Sequence, residues 1–339
     1  MSASLDIVSV GMVTAVGLDA PSSCAAMRAR LDGFQETRFS APGGWLVGAP
    51  VPLPRGWIGQ KRLAHLLAAA IGEALDGTPD ARDQSSVILC LPERDRVGSP
   101  VGDAAKLVAQ VSRISETELA GRTKIVTHGR PSGHVALEQA RRMLGSGAAK
   151  YVMIAGVDSY LTTGATAHYL SRRRLLTTGN PDGFIPGEAA GAVICVRSSG
   201  KGLQLLGLGL SREPGSIYNS ADIPMRGDGM TSAYNTALQQ TGIELNQLGY
   251  RIADLIGEQF WFKQSALANL RLLRGRHDFQ DIWSPAESIG NIGAAVGPVM
   301  LGVAFTAALK GYAAGDPVLV EASNDDGGCA AAVFARREA

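Results

Sequence analysis

The chain has 339 residues, of which 45% are hydrophobic and 19% charged, and its formal net charge is +1. This ordinary globular composition is long enough for one large domain or for two fused halves. Acidic and basic residues are interspersed, so the charge pattern predicts neither a nucleic-acid surface nor an electrostatic membrane anchor. The longest apolar runs contain glycine and are too short to span a bilayer.

The N-terminus and the cysteines indicate a cytoplasmic protein without a metal site. Residues 1–6 lack the basic start and the long apolar run of a secretory signal. The four cysteines are widely separated and form no Cys-x-x-Cys pair, which argues against a zinc site and against a disulfide framework. We expect no cofactor, and we expect buried free thiols at Cys24, Cys90, Cys195 and Cys329.

Strands and helices alternate in the first 120 residues. A strand is expected within residues 5–17, followed by a helix that Ser22 or Ser23 caps. Residues 40–58 are rich in Pro, Gly and Trp and are predicted to be a loop whose tryptophans anchor the packing. The remaining elements of this part are a helix over residues 63–75, a strand over 87–91, a loop over 92–103 and a helix over 103–113.

Residues 123–159 have the pattern of a strand, a sharp turn, a helix and a second strand. The β-branched run 124–128 is broken by Gly and Pro at 129–133, and apolar residues then recur at helical spacing up to Gly145. Many α/β enzymes place a nucleophile at such an elbow, because the free N–H groups and the dipole of the helix stabilise negative charge. Here Arg130 occupies the tip and no cysteine is present there.

The rest of the chain continues the alternation. Residues 160–178 include Arg172, Arg173 and Arg174, which are predicted to be a solvated helix face, with recognition of an acidic carrier protein as the alternative. Further strands are expected at residues 192–196, 203–210, 253–256, 317–321 and 330–334, and helices at 232–241, 267–273 and 299–309. This order predicts α/β layers with largely parallel pairing, and a joint at 200–202 predicts halves of residues 1–200 and 201–339.

Segments over nearly the whole chain resemble a known family, and two of them carry its motifs. Residues 129–137 resemble the nucleophile segment of the β-ketoacyl-ACP synthases of the thiolase superfamily, in which small-Cys-Ser-Xaa-Gly opens a buried helix. Residues 181–192 resemble the family signature Asp-Gly-Phe-Xaa-Xaa-Gly-Glu-Gly-Ala-Gly through Gly183, Phe184, Gly187 and Glu188, and Glu188 has a structural role in the family. The resemblance implies the thiolase fold, in which two similar βαβ-rich halves form five αβαβα layers. It also implies a dimer formed through the elbow-helix side.

The same resemblance implies that the catalytic residues are lost. Family members use one cysteine and two histidines, and matching Gly133 to the family glycine places the cysteine at Arg130. The histidine positions fall on Glu258 or Gln259 and on Gly290 or Asn291, where this chain has no histidine. Because an arginine forms no thioester and does not act as a base in a protein, we expect no condensing activity.

Several alternatives for this site remain open. The remnant of the family pocket is expected to include Arg130, Ser132, His134, Asp325 and Asp326. Ser132 with His134 or His128 is a conceivable relocated pair, although residues two apart on a helix do not face each other, and Cys90 or Cys329 is a weaker candidate nucleophile. A buried arginine needs a partner, so Arg130 is expected to form an internal ion pair, with Glu258 as one candidate, or to hold an anionic ligand.

The leading functional hypothesis is a non-catalytic thiolase-fold protein that binds, scaffolds or assists another protein. The alternatives are an active synthase or acyltransferase with relocated residues, a chain-length-factor-like subunit, an adaptor for a bacterial secretion effector, and an acyl or CoA binder without turnover. The expected partner is therefore a second copy, a synthase, an acyl carrier protein or an effector, and not nucleic acid or a membrane.

Overall fold

The computed structural model describes residues 4–200, 202–275 and 280–336. Residues 1–3 lie outside these ranges, and so does Lys201, which belongs to the predicted joint. The strands are β1 (Leu5–Val13), β2 (Gln35–Ala41), β3 (Gly44–Gly48), β4 (Ser85–Cys90), β5 (Thr123–Val126), β6 (Tyr151–Ser159), β7 (Glu188–Arg197), β8 (Leu203–Arg212), β9 (Tyr250–Ala253), β10 (Asp281–Trp283), β11 (Val318–Ser323) and β12 (Gly328–Arg336). The helices are α1 (Ala20–Arg28), α2 (Gly59–Asp76), α3 (Ala104–Ser115), α4 (Ser132–Gly145), α5 (Thr163–Ser171), α6 (Asp228–Thr241), α7 (Gln259–Leu272), α8 (Ala286–Ile289) and α9 (Val296–Lys310).

The main sheet consists of two equivalent groups of strands. Its order is β10-β9-β11-β12-β8-β1-β7-β6-β4-β5, so the five strands before residue 200 lie on one side and the five after it on the other. From the middle outwards, each group has two antiparallel pairings followed by two parallel ones. The groups meet where β1 and β8 share the pairs Asp6–Gln204 and Ile7–Leu203. The two similar halves expected for the fold are therefore present, whereas the exact boundary between them stays a prediction.

Helices complete a five-layer arrangement. The helices α4 and α9 lie in the middle and contact strands of both groups, while α2 with α3 and α6 with α7 cover the two outer faces. The apolar segment Gly293–Lys310 is long enough to cross a membrane, yet 72% of it is buried inside the protein. Its composition is that of a helix covered on all sides in the central layer.

Two expectations about strands are wrong. The sheet is mixed rather than largely parallel, because β11 returns to β12 through a short hairpin and α5, between β6 and β7, packs near β2 instead of crossing the sheet. Residues 40–58 are not all loop, since β2 and β3 form a separate hairpin. Of the two predicted anchors, Trp57 stacks on His65 with 3.5 Å between ring centroids, but Trp45 is 57% exposed.

Candidate functional site: an elbow filled by ion pairs

The elbow between β5 and α4 has the predicted course. Gly129 has a φ of +60°, a conformation that favours glycine, and it turns the chain before Arg130 and Pro131 lead into α4. The hydroxyl of Ser132, the first residue of α4, accepts a hydrogen bond of 2.9 Å from the His128 backbone N–H. Arg130 is only 1% exposed. A guanidinium is therefore buried at the N-terminal end of a central helix.

Arg130 is held by carboxylates and by an aromatic ring. Its Nη1 donates to Asp254 Oδ2 at 3.1 Å, and its Nη2 lies 3.7 Å from Asp325 Oδ1. Its Cζ lies 4.1 Å from the centroid of the Trp261 ring, which is a cation–π distance. An internal ion pair is therefore present, but the candidate partner Glu258 is wrong. The direct partner is Asp254, immediately after β9.

Glu258 instead binds a second buried arginine. Arg174 Nε and Nη2 donate to the two Glu258 oxygens at 2.6 Å each, which is a bidentate pair. Arg174 Nη1 also donates to Asp325 Oδ2 at 2.5 Å and to the Tyr218 hydroxyl at 2.8 Å. Trp261 Nε1 donates to Glu258 Oε2 at 2.8 Å. Asp325 therefore bridges Arg130 and Arg174.

The prediction that Arg172, Arg173 and Arg174 form a solvated face is wrong for one of them. Arg172 and Arg173 are exposed, but Arg174 is only 5% exposed. The backbone explains the difference, because Arg174 O accepts the Phe184 N–H at 2.9 Å and residue 175 forms a β-bridge with Phe184. This pairing with the signature segment carries the Arg174 side chain into the interior.

A third buried arginine was not identified from the sequence. Arg96 follows β4 and makes a bidentate pair with Asp158 at 2.7 and 2.5 Å, and its Cζ lies 4.3 Å from the Tyr160 ring centroid. Glu93 is packed so closely against Gly129 that a side chain at Gly129 would collide with it, and burial raises the pKa of Glu93. The only sequence signal for these residues is their position just after a buried strand.

We call Arg130, Arg174, Asp254, Glu258 and Asp325 the elbow network. A cavity beside Asp254 and Trp261 measures about 10 Å³, which is room for about one water molecule. Apolar side chains pack around Trp261 in one buried cluster with Phe184, Tyr160, Tyr169 and Leu46. Ion pairs and aromatic rings therefore occupy the space at the elbow.

The other residues expected in the family pocket point elsewhere. His134 is 1% exposed, and its Nε2 lies 3.0 Å from the Val320 carbonyl oxygen. Burial lowers the pKa of His134 to about 4, so the ring is neutral at pH 7. The Ser132 hydroxyl accepts the His128 N–H, and among the described residues no hydrogen bond joins it to the His134 ring. Asp326 lies near the surface, 3.9 Å from Arg212.

The positions matched to the lost histidines have structural contacts. Asn291 N–H donates to Ile185 O at 2.8 Å, its carbonyl accepts the Gly187 N–H at 3.0 Å, and its Oδ1 accepts the Gly293 N–H at 3.0 Å. Gly290 has a φ of +64°, which favours glycine. Gln259 is exposed, and its backbone N–H donates to Asp182 Oδ1 at 2.7 Å. Of the four candidate positions, only Glu258 contributes a side chain to the elbow network.

The signature residues connect separate segments. Glu188 accepts hydrogen bonds from the Val51 N–H at 2.9 Å and the Ser159 hydroxyl at 3.1 Å, and it forms an ion pair with Arg62 at 2.5 Å. Phe184 is completely buried, and side chains at Gly183 or Gly187 would collide with the backbone of Leu175 or Ile289. These contacts fix the signature segment, residues 181–192, whose backbone pairs with the backbone next to Arg174 and with Asn291.

The thiols are protonated at neutral pH. All four cysteines are free and buried. Burial raises the pKa of the Cys329 thiol to about 12, and it also raises the pKa of the Cys90 thiol. Because a thiolate is the reactive form, neither side chain has the environment of an activated nucleophile. Within the described residues, no group of three or more His, Cys, Asp and Glu side chains is placed to hold a metal ion.

The neutral state of His134 predicts a pH dependence of stability. An unfolded histidine has a pKa of about 6.5, so between about pH 6.5 and 4 the unfolded chain binds a proton that the folded chain does not. The free energy of unfolding should therefore fall as the pH is lowered through this range. In His134→Gln this fall should be smaller, by up to about 1.4 kcal/mol per pH unit. Urea unfolding from pH 7 to 5 measures it, with His168→Gln as the control. Parallel curves for wild type and His134→Gln would contradict the assignment.

Comparison with known proteins bears on the fold. Residues 78–199 match the family described as beta-ketoacyl synthase, N-terminal domain. The chain is similar to the ishigamide ketosynthase/chain length factor, with a TM-score of 0.80, 16% identity and 100% of both chains covered. It is also similar to a beta-ketoacyl synthase from Burkholderia phymatum STM815, with a TM-score of 0.77, 16% identity and 100% of both chains covered.

A third similar structure is a ketosynthase in complex with its chain length factor from Xenorhabdus doucetiae, with a TM-score of 0.77, 15% identity and 98% of both chains covered. The search of curated protein sequences found no match. At these identities the solved structures show the fold, which is the thiolase-like ketosynthase fold expected from the sequence.

Proposed function

We propose that this chain, a ketosynthase-like member of the thiolase superfamily, is a non-catalytic protein that acts in the cytoplasm as the accessory partner of another protein. The observation that carries the proposal is the burial of Arg130 at the elbow in an ion pair with Asp254. A condensing enzyme of this family needs a thiolate there, and a permanently charged guanidinium is not a nucleophile.

Two further features support the absence of turnover. The positions matched to the two histidines, Glu258 or Gln259 and Gly290 or Asn291, offer no imidazole to stabilise an oxyanion. The Glu258 carboxylate is neutralised by Arg174, and Asn291 Oδ1 accepts the Gly293 N–H. Asp325, on the loop between β11 and β12, is held by both Arg130 and Arg174. An acyl chain would have to displace these ion pairs to reach the elbow.

The open edge of strand β5 favours a protein partner on the elbow side. Among the described residues β5 pairs with β4 alone, so its other edge keeps free backbone donors and acceptors. Lys124 is exposed and Ile125 is 43% exposed on this strand. An open edge with an apolar side chain is suited to pairing with a strand of another chain.

Of the candidate partners, the comparisons favour a ketosynthase. Two of the similar solved structures are described as a ketosynthase with a chain length factor, and a third as a type II PKS acyl-carrier protein in complex with its ketosynthase. We therefore propose pairing with an active synthase in the manner of a chain length factor. A homodimer and an effector adaptor are the other outcomes that the partner experiment distinguishes.

The absence of acyl transfer is tested by intact mass spectrometry. The purified chain is incubated with acetyl-CoA and with an acyl-loaded carrier protein, beside an active ketosynthase as the positive control. We expect the mass of this chain to stay unchanged, because its thiols are buried and protonated. An acyl adduct on any residue would overturn the non-catalytic assignment.

The partner is tested separately by co-purification from cells that express the tagged chain with candidate synthases and carrier proteins. We expect a synthase to co-purify, and we expect Ile125→Glu to abolish the complex by placing a charge in the paired edge. Ile114→Glu is the matched control, because Ile114 is similarly exposed, at 39%, but lies on α3 and not on the edge strand. Loss of the complex in both variants, or in neither, would reject β5 as the interface.

A further inference from the structure

A cavity of about 350 Å³ lies apart from the elbow, between α1, the segment from β10 to α8, and α9. This volume is at the lower end of the range for small-molecule sites. Buried Cys24, Pro285 and Val303 line it together with exposed Arg28, Arg30 and Glu287. None of its described lining residues belongs to the elbow network. The cavity is therefore a separate candidate site whose lining is mixed, with buried Cys24, Pro285, Ser288 and Val303 inside and charged side chains at the rim.

Aromatic rings form one wall of this cavity. Trp283 and Tyr312 both line it, and their rings are nearly parallel, at 26° with 6.3 Å between centroids. The ring of Tyr250, which is 1% exposed, packs on Trp283 with 4.5 Å between ring centroids. Two aromatic side chains in the lining, one of them packed on a buried ring, are suited to contact with a planar aromatic ligand.

The charges at the rim favour an anion. Arg28 and Arg30 line the cavity with a single acidic residue, Glu287, among the described lining residues. Arg28 Cζ lies 4.5 Å from the Tyr312 ring centroid, so its guanidinium is already oriented beside the aromatic wall. Within the described ranges neither arginine forms an ion pair within 4.0 Å, so their fork-shaped donors are available to a carboxylate.

The backbone at Arg30 is a second unusual feature of the rim. Arg30 has a φ of +56°, a conformation that is uncommon for a residue other than glycine. It follows the end of α1, and its N–H donates to Met27 O at 3.0 Å. An asparagine or glycine would fit this position with less strain, and the arginine present there contributes its side chain to the cavity lining.

We propose that this cavity binds a small aromatic carboxylate, with its ring against Trp283 and Tyr312 and its carboxylate on Arg28 and Arg30. The aromatic ring of the ligand has apolar area that the cavity can bury, and its carboxylate matches the two guanidinium groups at the rim. The proposal does not depend on the accessory role at the elbow, because the two sites share no described residue.

The test uses three probes that separate the two parts of the ligand. They are 1-naphthoate, which has both parts, 1-naphthamide, which lacks the charge, and cyclohexanecarboxylate, which lacks the aromatic ring. Binding is followed by NMR on the indole N–H signals of the chain's four tryptophans, with the Trp283 signal assigned from Trp283→Phe. We expect 1-naphthoate alone to shift the Trp283 signal saturably and to leave the Trp261 signal in place.

Matched arginine variants locate the carboxylate. Arg28→Gln should weaken 1-naphthoate binding by about 10-fold or more, the loss expected for a hydrogen bond to a charged group. Arg38→Gln should leave binding unchanged, because Arg38 is also exposed and also lies over a ring, Phe39 at 5.5 Å, but does not line the cavity. No shift of the Trp283 signal at millimolar 1-naphthoate, equal binding of the three probes, or undiminished binding by Arg28→Gln would overturn the proposal.

Discussion

Replacing Arg130 by methionine is expected to lower the free energy of unfolding by about 3 to 5 kcal/mol. The substitution keeps an unbranched side chain that can still pack on Trp261. It removes the positive charge that hydrogen-bonds to Asp254. Asp254 is 5% exposed. Breaking a buried ion pair from one side leaves the other charge without compensation, which accounts for the size of the loss. Urea unfolding at pH 7 measures it.

The control is an arginine on α4, the helix that follows Arg130, whose ion pair is at the surface. Arg142 forms an ion pair with Glu138 at 2.7 Å, and its side chain is 77% exposed. Because solvent screens such pairs, Arg142→Met should cost no more than about 0.5 kcal/mol. The double variant Arg130→Met with Asp254→Asn should recover part of the loss, since it removes both buried charges. A small cost for Arg130→Met, or a double variant no more stable than the single one, would contradict the assignment.

The free energy of unfolding lost in Arg130→Met should also depend on pH in a definite direction. Burial raises the pKa of Asp254 while Arg130 opposes the rise, so removal of Arg130 should raise this pKa further. Between the unfolded pKa and the raised folded pKa, the folded chain then binds a proton that the unfolded chain does not. The cost of Arg130→Met should therefore increase as the pH rises through that range, and the asparagine double variant should lack this dependence.

The fold was predictable because most of its elements have strong local signals. The apolar run over residues 151–157 lies within β6, and the helical spacing over residues 63–75 lies within α2. The hairpin of β2 and β3 was missed because every residue of β2 is exposed or half-buried, so β2 has no buried face to impose a hydrophobic alternation. The strand β10 has three residues, which is too short for a periodic pattern.

The site was predictable only in its local part. Arg130 was placed at the elbow from a motif of adjacent residues, and Phe184 and Glu188 from another. The partner of Arg130 is 124 positions away in the chain and that of Arg174 is 84 positions away. Asp254 and Glu258 both follow β9. Whether Arg130 or Arg174 reaches a given one of these carboxylates depends on how the backbone pairs at Phe184. Sequence pattern carries no information about that choice.

Replacing Gly133 is expected to destabilise the centre of the molecule. The helices α4 and α9 approach each other closely here, and a Cβ at Gly133 would lie 2.7 Å from Gly297 Cα and 3.3 Å from Pro298 Cδ. The contacted atoms belong to the backbone and to a proline ring, so they have little freedom to move aside. Gly133→Ala should therefore cost about 1 to 3 kcal/mol, and Gly133→Val more, by overpacking. The same contact gives a physical reason for the glycine by which the elbow was matched to the ketosynthase motif.

Gly72 on α2 gives a control of the opposite sign. A Cβ there would meet no heavy atom within 4 Å, so Gly72→Ala should raise the free energy of unfolding by about 0.5 to 1 kcal/mol, because alanine restricts the unfolded chain and favours the helix. The same gain in helix propensity applies at Gly133 but is outweighed there by the contact with α9. Urea unfolding of the two alanine variants separates helix propensity from overpacking, because propensity alone predicts that both substitutions stabilise the chain. Stabilisation by Gly133→Ala would mean that α4 and α9 are farther apart than the structure shows, and the close packing of the central layer would be wrong.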